Sequence, residues 1–167
     1  MIDVLRPLTE PASRVTVSAV PAPSSIVAEL ADRPNLWRPL VEFRHPRHYV
    51  RLAVGQGWEA WLLTWLPGQT TGLHDHGGSA GAFAVVEGAL DESLPVREDG
   101  RLVLKTARHR IGSIRPFGER HLHDVSAADV PAVSIHAYAP ALLAMTRYTL
   151  ADGELTAVVH ERLGADW

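Results

Sequence analysis

The sequence predicts an all-β domain, a small sandwich or barrel with short helices packed outside it. From about Trp58 onward, short apolar and aromatic runs are separated by glycine, proline and aspartate, at roughly 8–12-residue spacing. The first fifty residues differ in texture, broken into short pieces by Pro7, Pro11, Pro21, Pro23, Pro34, Pro39 and Pro46. The chain of 167 residues, 46% hydrophobic and 21% charged, suits one domain with a real core. We therefore expect a single domain over 1–167, with a helical or irregular segment at 1–50 and a barrel at 51–160.

Each element has a local reason. Ser24 or Ser25 can cap a helix through Ile26, Val27 and Leu30, whose spacing is helical. A second short helix starting at Pro34 would bury Leu36, Trp37, Leu40 and Val41. Strands are expected at Trp58 to Leu66, Ala82 to Glu87, Leu102 to Arg108, Gly112 to Arg115 and His121 to Val125. Three more follow at Ala132 to Ala137, Met145 to Leu150 and Leu155 to His160. Trp58, Trp61 and Trp65 read mostly as core, as do Met145 and Tyr148, whereas His45, His48, His109 and His160 show no ligand spacing and read as exposed.

Composition narrows the function. A net charge of -3 with scattered basic residues gives no reason to expect nucleic acid or an anionic membrane as partner. No apolar run approaches the ~20 residues of a membrane span, and Met1 to Pro7 lacks the layout of a signal peptide. With no cysteine there is no disulfide framework, thiolate ligand or cysteine nucleophile. We expect a cytoplasmic protein, a monomer or small homo-oligomer.

The chemistry concentrates in Leu73-His74-Asp75-His76-Gly77-Gly78, entered through Pro67-Gly68. Side chains alternate along an extended strand, so His74 and His76 project to one side and can both reach one metal ion, while Asp75 faces the other way. Neutral imidazole suits iron, zinc, copper and nickel. A zinc hydrolase would usually place a carboxylate just after such a pair, and residues 77–82 contain none.

The spacing of Gly68, His74, His76, Gly81 and Gly88 resembles the first cupin motif, except that Gly81 stands where most cupins carry a glutamate ligand. The longer string Trp65-Leu66-Pro67-Gly68-Gln69 with Leu73-His74-Asp75-His76 resembles one cupin branch, the cysteine dioxygenase family of thiol dioxygenases. A second matching block is Leu122-His123-Asp124-Val125, followed by Ala132-Val133-Ser134-Ile135-His136-Ala137-Tyr138-Ala139-Pro140. The resemblance spans about residues 44–150 and implies an all-β cupin, a small jelly-roll barrel with short N-terminal helices packed outside.

It also implies Fe(II) held by three histidines and addition of both atoms of O2 to a thiol. His74 and His76 match the first two ligands. The third has two candidates on one strand face: the general cupin spacing after Pro116 and Gly118 selects His121, and the thiol dioxygenase pattern selects His123. We take His123, with His121 as the alternative. The resemblance gives Ser134, His136 and Tyr138 a hydrogen-bonded relay beside the substrate, and puts Trp65 near the iron. Family members that crosslink a cysteine to this tyrosine carry it at the position of Gly81, so no crosslink forms here. Tyr49-Val50-Arg51 resembles the Tyr-x-Arg of cysteine-specific members, making Arg51 the expected carboxylate anchor and Tyr49 its companion, with Arg44 or Arg47 as alternatives. The implied reaction is L-cysteine to cysteine sulfinate. Its rivals are dioxygenation of 3-mercaptopropionate, cysteamine or a thiol-imidazole, and a non-catalytic ligand-binding cupin.

Overall fold

The computed structural model describes residues 20–162, so Pro7, Pro11 and the Met1 to Pro7 leader reading lie outside the described residues. Helix α1 (Pro23–Ala31) starts at a proline and has no side-chain cap bond, so neither Ser24 nor Ser25 caps it. Proline at the first helical position has its φ preset for the helix and loses no bond there, and it replaces the expected cap. Helix α2 (Pro34–Trp37) is a single turn that passes into a 3-10 turn, Arg38–Leu40. That tightening breaks the expected face: Trp37 is buried and Val41 partly so, but Leu36 and Leu40 are exposed.

Among the described residues ten strands follow: β1 (Tyr49–Gly55), β2 (Trp58–Trp65), β3 (Ala80–Glu87), β4 (Ala89–Glu98), β5 (Arg101–Arg110), β6 (Ile114–Phe117), β7 (Asp124–Ser126), β8 (Ala132–Ala139), β9 (Ala144–Ala151) and β10 (Glu154–Arg162). Sequence patterning missed β1 and β4. One sheet runs β1-β2-β8-β3-β6. Opposite it stand β5-β4-β7 and the β9-β10 hairpin. The segment from Thr70 to Asp75 stitches those two pieces together. It bridges Thr70 to Ser126 and His74 to His123 on one side, and His74 to Arg147 on the other. The result is the all-β cupin, a double-layered barrel with helices outside.

Strand β8 shows why the barrel closes on a functional interior. It pairs with β2 and β3, and Ala132 through Tyr138 are all buried. Alternation sends Val133, Ile135 and Ala137 to the outer face, where Ile26, Val27 and Leu30 of α1 cover them. Burying each of those three helix side chains contributes about 2 kcal/mol, enough to hold the helix on the sheet. The other set, Ala132, Ser134, His136 and Tyr138, faces inward among Trp61, Trp65, Phe83 and Met145. Among the described residues no helix is long and apolar enough to cross a membrane.

Candidate metal centre

His74, His76 and His123 converge in the barrel. Their exposures are 3%, 0% and 1%, and one nitrogen from each lies within 4.8 Å of the others. The backbone makes this meeting: His74 N donates to His123 O at 2.9 Å and His123 N to His74 O at 3.1 Å, so the two residues pair across adjacent extended segments. Just after His76 the chain must turn away. Gly77, at φ 56°, does so where an added Cβ would lie 2.6 Å from the Ala144 carbonyl oxygen, so a side chain is excluded. Asp75 faces the other way and holds the segment to β9, accepting from Gly77 N (3.0 Å), Thr146 N (3.1 Å) and the Tyr148 hydroxyl (2.7 Å). Tyr148 is thus half-buried at a polar contact rather than plain core.

Burial first, then the neighbouring His123, pushes the His74 imidazole down to about 3. Burial likewise depresses His76 and His123. All three are therefore neutral near pH 7. His74 Nδ1 donates to the Gly72 carbonyl oxygen at 2.8 Å and His123 Nδ1 to Glu92 Oε1 at 2.8 Å, which leaves each Nε2 without a proton. His76 has no hydrogen-bond partner for either ring nitrogen among the described residues; its ring stacks on Phe117 at 4.6 Å. A buried orphaned polar atom costs about 1–3 kcal/mol. Three neutral imidazoles, two with their second nitrogen tied off and one orphaned, fit a divalent transition metal.

Behind His123 lies a residue that sequence reasoning missed. Glu92 is 1% exposed, on the overlooked β4. Its Oε1 accepts from His123 and from His121 Nε2 (2.9 Å), and its Oε2 accepts from Arg115 Nε (2.8 Å) and His109 Nε2 (3.1 Å). Burial alone would raise this carboxyl, but the bonds from His121, His123 and Arg115 outweigh it and hold Glu92 well below the usual carboxylate range. His121 therefore bonds Glu92, outside the trio at 74, 76 and 123. His109, expected exposed, is half-buried against the same carboxylate. Glu92 and His123 with His121 form a second close group, but its contacts at 2.8 and 2.9 Å are hydrogen bonds.

The inner face of β8 carries the remaining expected residues. Trp65 Nε1 donates to Ser134 Oγ at 2.9 Å, and Ser134 Oγ lies 2.8 Å from His136 Nε2. An indole only donates, so the serine hydroxyl passes its proton toward His136, which as a neutral ring carries its own on Nδ1. Burial keeps His136 neutral, its pKa depressed well below the ordinary value. Burial and then the charge of Glu59 push the Tyr138 phenol up, so it stays an O–H donor; its ring lies 5.5 Å from that of His76.

A small pocket, about 30 Å³, reaches this centre, bordered by His74, His123, His136 and Tyr138. Its charged lining among the described residues is Arg47 and Arg147, with no carboxylate. Arg147 is answered by Glu161 at 3.0 Å and donates to the Thr71 carbonyl oxygen. Arg47 lies over the Trp65 ring at 4.4 Å, donates to the Thr70 carbonyl oxygen at 3.0 Å, and keeps a buried Nε without a partner among the described residues. Tyr49 borders an adjoining space together with Arg47, Trp61 and Tyr138. Arg51 does not line either space. It is exposed, its guanidinium lying 5.7 Å from the centre of the Trp61 ring, because Trp61 opposite it on β2 fills the interior at that level. Arg44 also stays outside the lining, beside His48 at 3.1 Å.

Gly81 sits in register with Tyr138. A Cβ there would come within 2.5 Å of the Phe117 ring and 2.9 Å of the Ala137 carbonyl oxygen. Phe117, sandwiched between His76 and His121, occupies the room that a side chain at 81 would need.

Comparison with known proteins follows the same lines. The family model of cysteine dioxygenase type I matches residues 5–151. No curated protein matches the chain. Among solved structures, the TT1209 protein from Thermus thermophilus is similar at 19% identity and a TM-score of 0.53, covering 62% of this chain and 93% of its own. An uncharacterized conserved protein with a double-stranded beta-helix domain from Klebsiella pneumoniae is similar at 12% identity and a TM-score of 0.50, covering 73% and 93%. Those likenesses show the fold alone. The family match, over most of the chain, shows more: this protein belongs to the cysteine dioxygenase type I family.

Proposed function

We propose that the protein is an Fe(II)-dependent thiol dioxygenase that converts a small carboxylate-bearing thiol to its sulfinic acid, with L-cysteine giving cysteine sulfinate. The observation that carries this reading is the meeting of three neutral, buried imidazoles beside a pocket whose charged lining is arginine. The reaction balances as thiol plus O2 giving sulfinic acid, with both oxygen atoms on sulfur. In this reading His74, His76 and His123 hold the iron. Bound ferrous ion would activate O2 and favour loss of the thiol proton, while the electrons that reduce O2 come from the thiol sulfur.

The rest belongs to the chain. Arg47, a half-buried cation with no carboxylate in ion-pair distance among the described residues, takes the substrate carboxylate in place of Arg51. It is braced for this by the Trp65 face and the Thr70 carbonyl, so little side-chain entropy is lost on binding. Tyr138 keeps its proton and donates a hydrogen bond to the reacting groups. The line Trp65–Ser134–His136 fixes the inner face of β8 in one hydrogen-bonding state. Leu63, Val125 and Met145 give the pocket its apolar lining. Tyr49 borders the far side of Arg47 and limits where the carboxylate end can lie. The partners in this reading are a small thiol and O2, in the cytoplasm.

Oxygen uptake across cysteine, 3-mercaptopropionate and cysteamine, after anaerobic iron loading, tests the reading. Thiol-dependent uptake with sulfinate product is expected, fastest with cysteine. A protein that takes up iron but consumes no oxygen with any of these thiols contradicts it.

A further inference from the structure

The three histidines at the centre are held in three different ways. His74 is tied to a neutral carbonyl, His76 only packs on Phe117, and His123 alone is backed by a negative charge. That charge is unusually well secured. Glu92 is almost fully buried, and each of its oxygens accepts from a pair of donors. A buried carboxylate survives only when its lone pairs are answered, and a single missing donor leaves it costly. Here His109, Arg115 and His121 come from β5, β6 and the loop leading to β7, so separate pieces of the barrel wall direct their polar groups to one side chain. Packing needs nothing of the kind: Leu90, two residues earlier on the same face of β4, is fully buried and apolar.

We propose that Glu92 is a positioning residue for the metal centre. Through His123 Nδ1 it fixes the ring's tautomer and orientation and makes His123 the most electron-rich of the three ligands. The shell of His121, His109 and Arg115 serves to hold the Glu92 carboxylate in one place. A carboxylate behind a ligating imidazole raises ligand basicity, and its loss typically weakens metal binding by about 10- to 100-fold. The inference rests on the three-histidine reading of the site, but on metal binding alone, not on the choice of thiol or on oxygen chemistry.

The test uses Co(II) under anaerobic conditions, without thiol. Glu92→Gln keeps the shape of the side chain but loses the charge and one acceptor. Competition titration should show Co(II) binding weakened by about 10- to 100-fold, with shifted ligand-field absorption bands. Binding within about threefold of wild type, with unchanged bands, overturns the proposal, as does a variant that only melts earlier. A second measurement needs no variant: nitrogen-15 spectra of metal-free wild-type protein should report the Nδ1–H tautomer at His123. The Nε2–H tautomer there overturns the proposal even if E92Q fails to fold. Wild-type protein that binds Co(II) but oxidises no thiol would sink the proposed function and leave this inference standing.

Discussion

Replacing Arg47 by Gln removes the guanidinium assigned to the substrate carboxylate while keeping a polar side chain of similar reach. Arg47 lines the pocket and has no carboxylate within ion-pair distance among the described residues, so in the proposed reading it is the group that pairs with the substrate carboxylate. Truncating one side of a desolvated, hydrogen-bonded charge pair costs about 2–5 kcal/mol. The pocket is open on one side, which puts the loss at the lower end, about 2–3 kcal/mol, or roughly 30- to 150-fold in kcat/KM for cysteine. Cysteamine has the same thiol and amine but no carboxylate, so its rate should change far less. The matching control is Arg51→Gln. An exposed cation contributes at most about 1 kcal/mol, so cysteine oxidation should fall by less than about fivefold. The assay is initial-rate oxygen uptake with both thiols on all three proteins, with melting temperatures to check the loss of the Thr70 bond. If Arg51→Gln abolishes cysteine turnover and Arg47→Gln leaves it intact, the assignment of the anchor is refuted.

Two further outcomes follow from the same geometry. Gly81→Cys should overpack against Phe117, costing about 1–3 kcal/mol and lowering the melting temperature by about 2–10 °C, and intact mass should show no thioether to Tyr138; an unchanged melting temperature or a formed crosslink contradicts the packing. Metal-stripped protein should lose stability on acidification, because His74, at about 3 when folded, and His136, also depressed, stay neutral in the fold while the unfolded chain takes up protons below about pH 6.5. Depressed folded values mean that this stability is full above about pH 6.5 and is lost as pH falls toward about 3, by about 1 kcal/mol per pH unit for each ring. Urea midpoints that match at about pH 7.5 and about pH 5.5 contradict it.

The barrel and the His74–His76 pair were legible because their signals are periodic and local, whereas only the family resemblance favoured His123 over His121 on the same strand face. His74 and His76 sit a strand step apart before a glycine turn, and Ser134, His136 and Tyr138 alternate on a strand buried on both faces. What stayed hidden depends on contacts far apart in sequence. Strand β4 reads poorly, with Asp91, Glu92 and Pro95 interrupting its apolar residues, yet it pairs with β5 on one side and β7 on the other. Glu92 looks like a solvated charge until its four donors arrive from residues 17 to 31 positions away. The alternation of Leu90 with Glu92 on the face of Gly88-bounded β4 was the one available hint. The place of Arg51 outside the pocket lining was hidden for a similar reason: Tyr49 and Arg51 share a strand face, but how far that face runs into the pocket is decided by Trp61 on the neighbouring strand.

The most direct test of the central claim loads the protein with Fe(II) anaerobically and exposes it to oxygen-18 gas with cysteine, reading the product by mass spectrometry beside the His123→Ala variant. The account predicts cysteine sulfinate carrying both labelled atoms from wild type and loss of that product from the variant. Disulfide alone, a sulfinate labelled from water, or equal product from His123→Ala would contradict it.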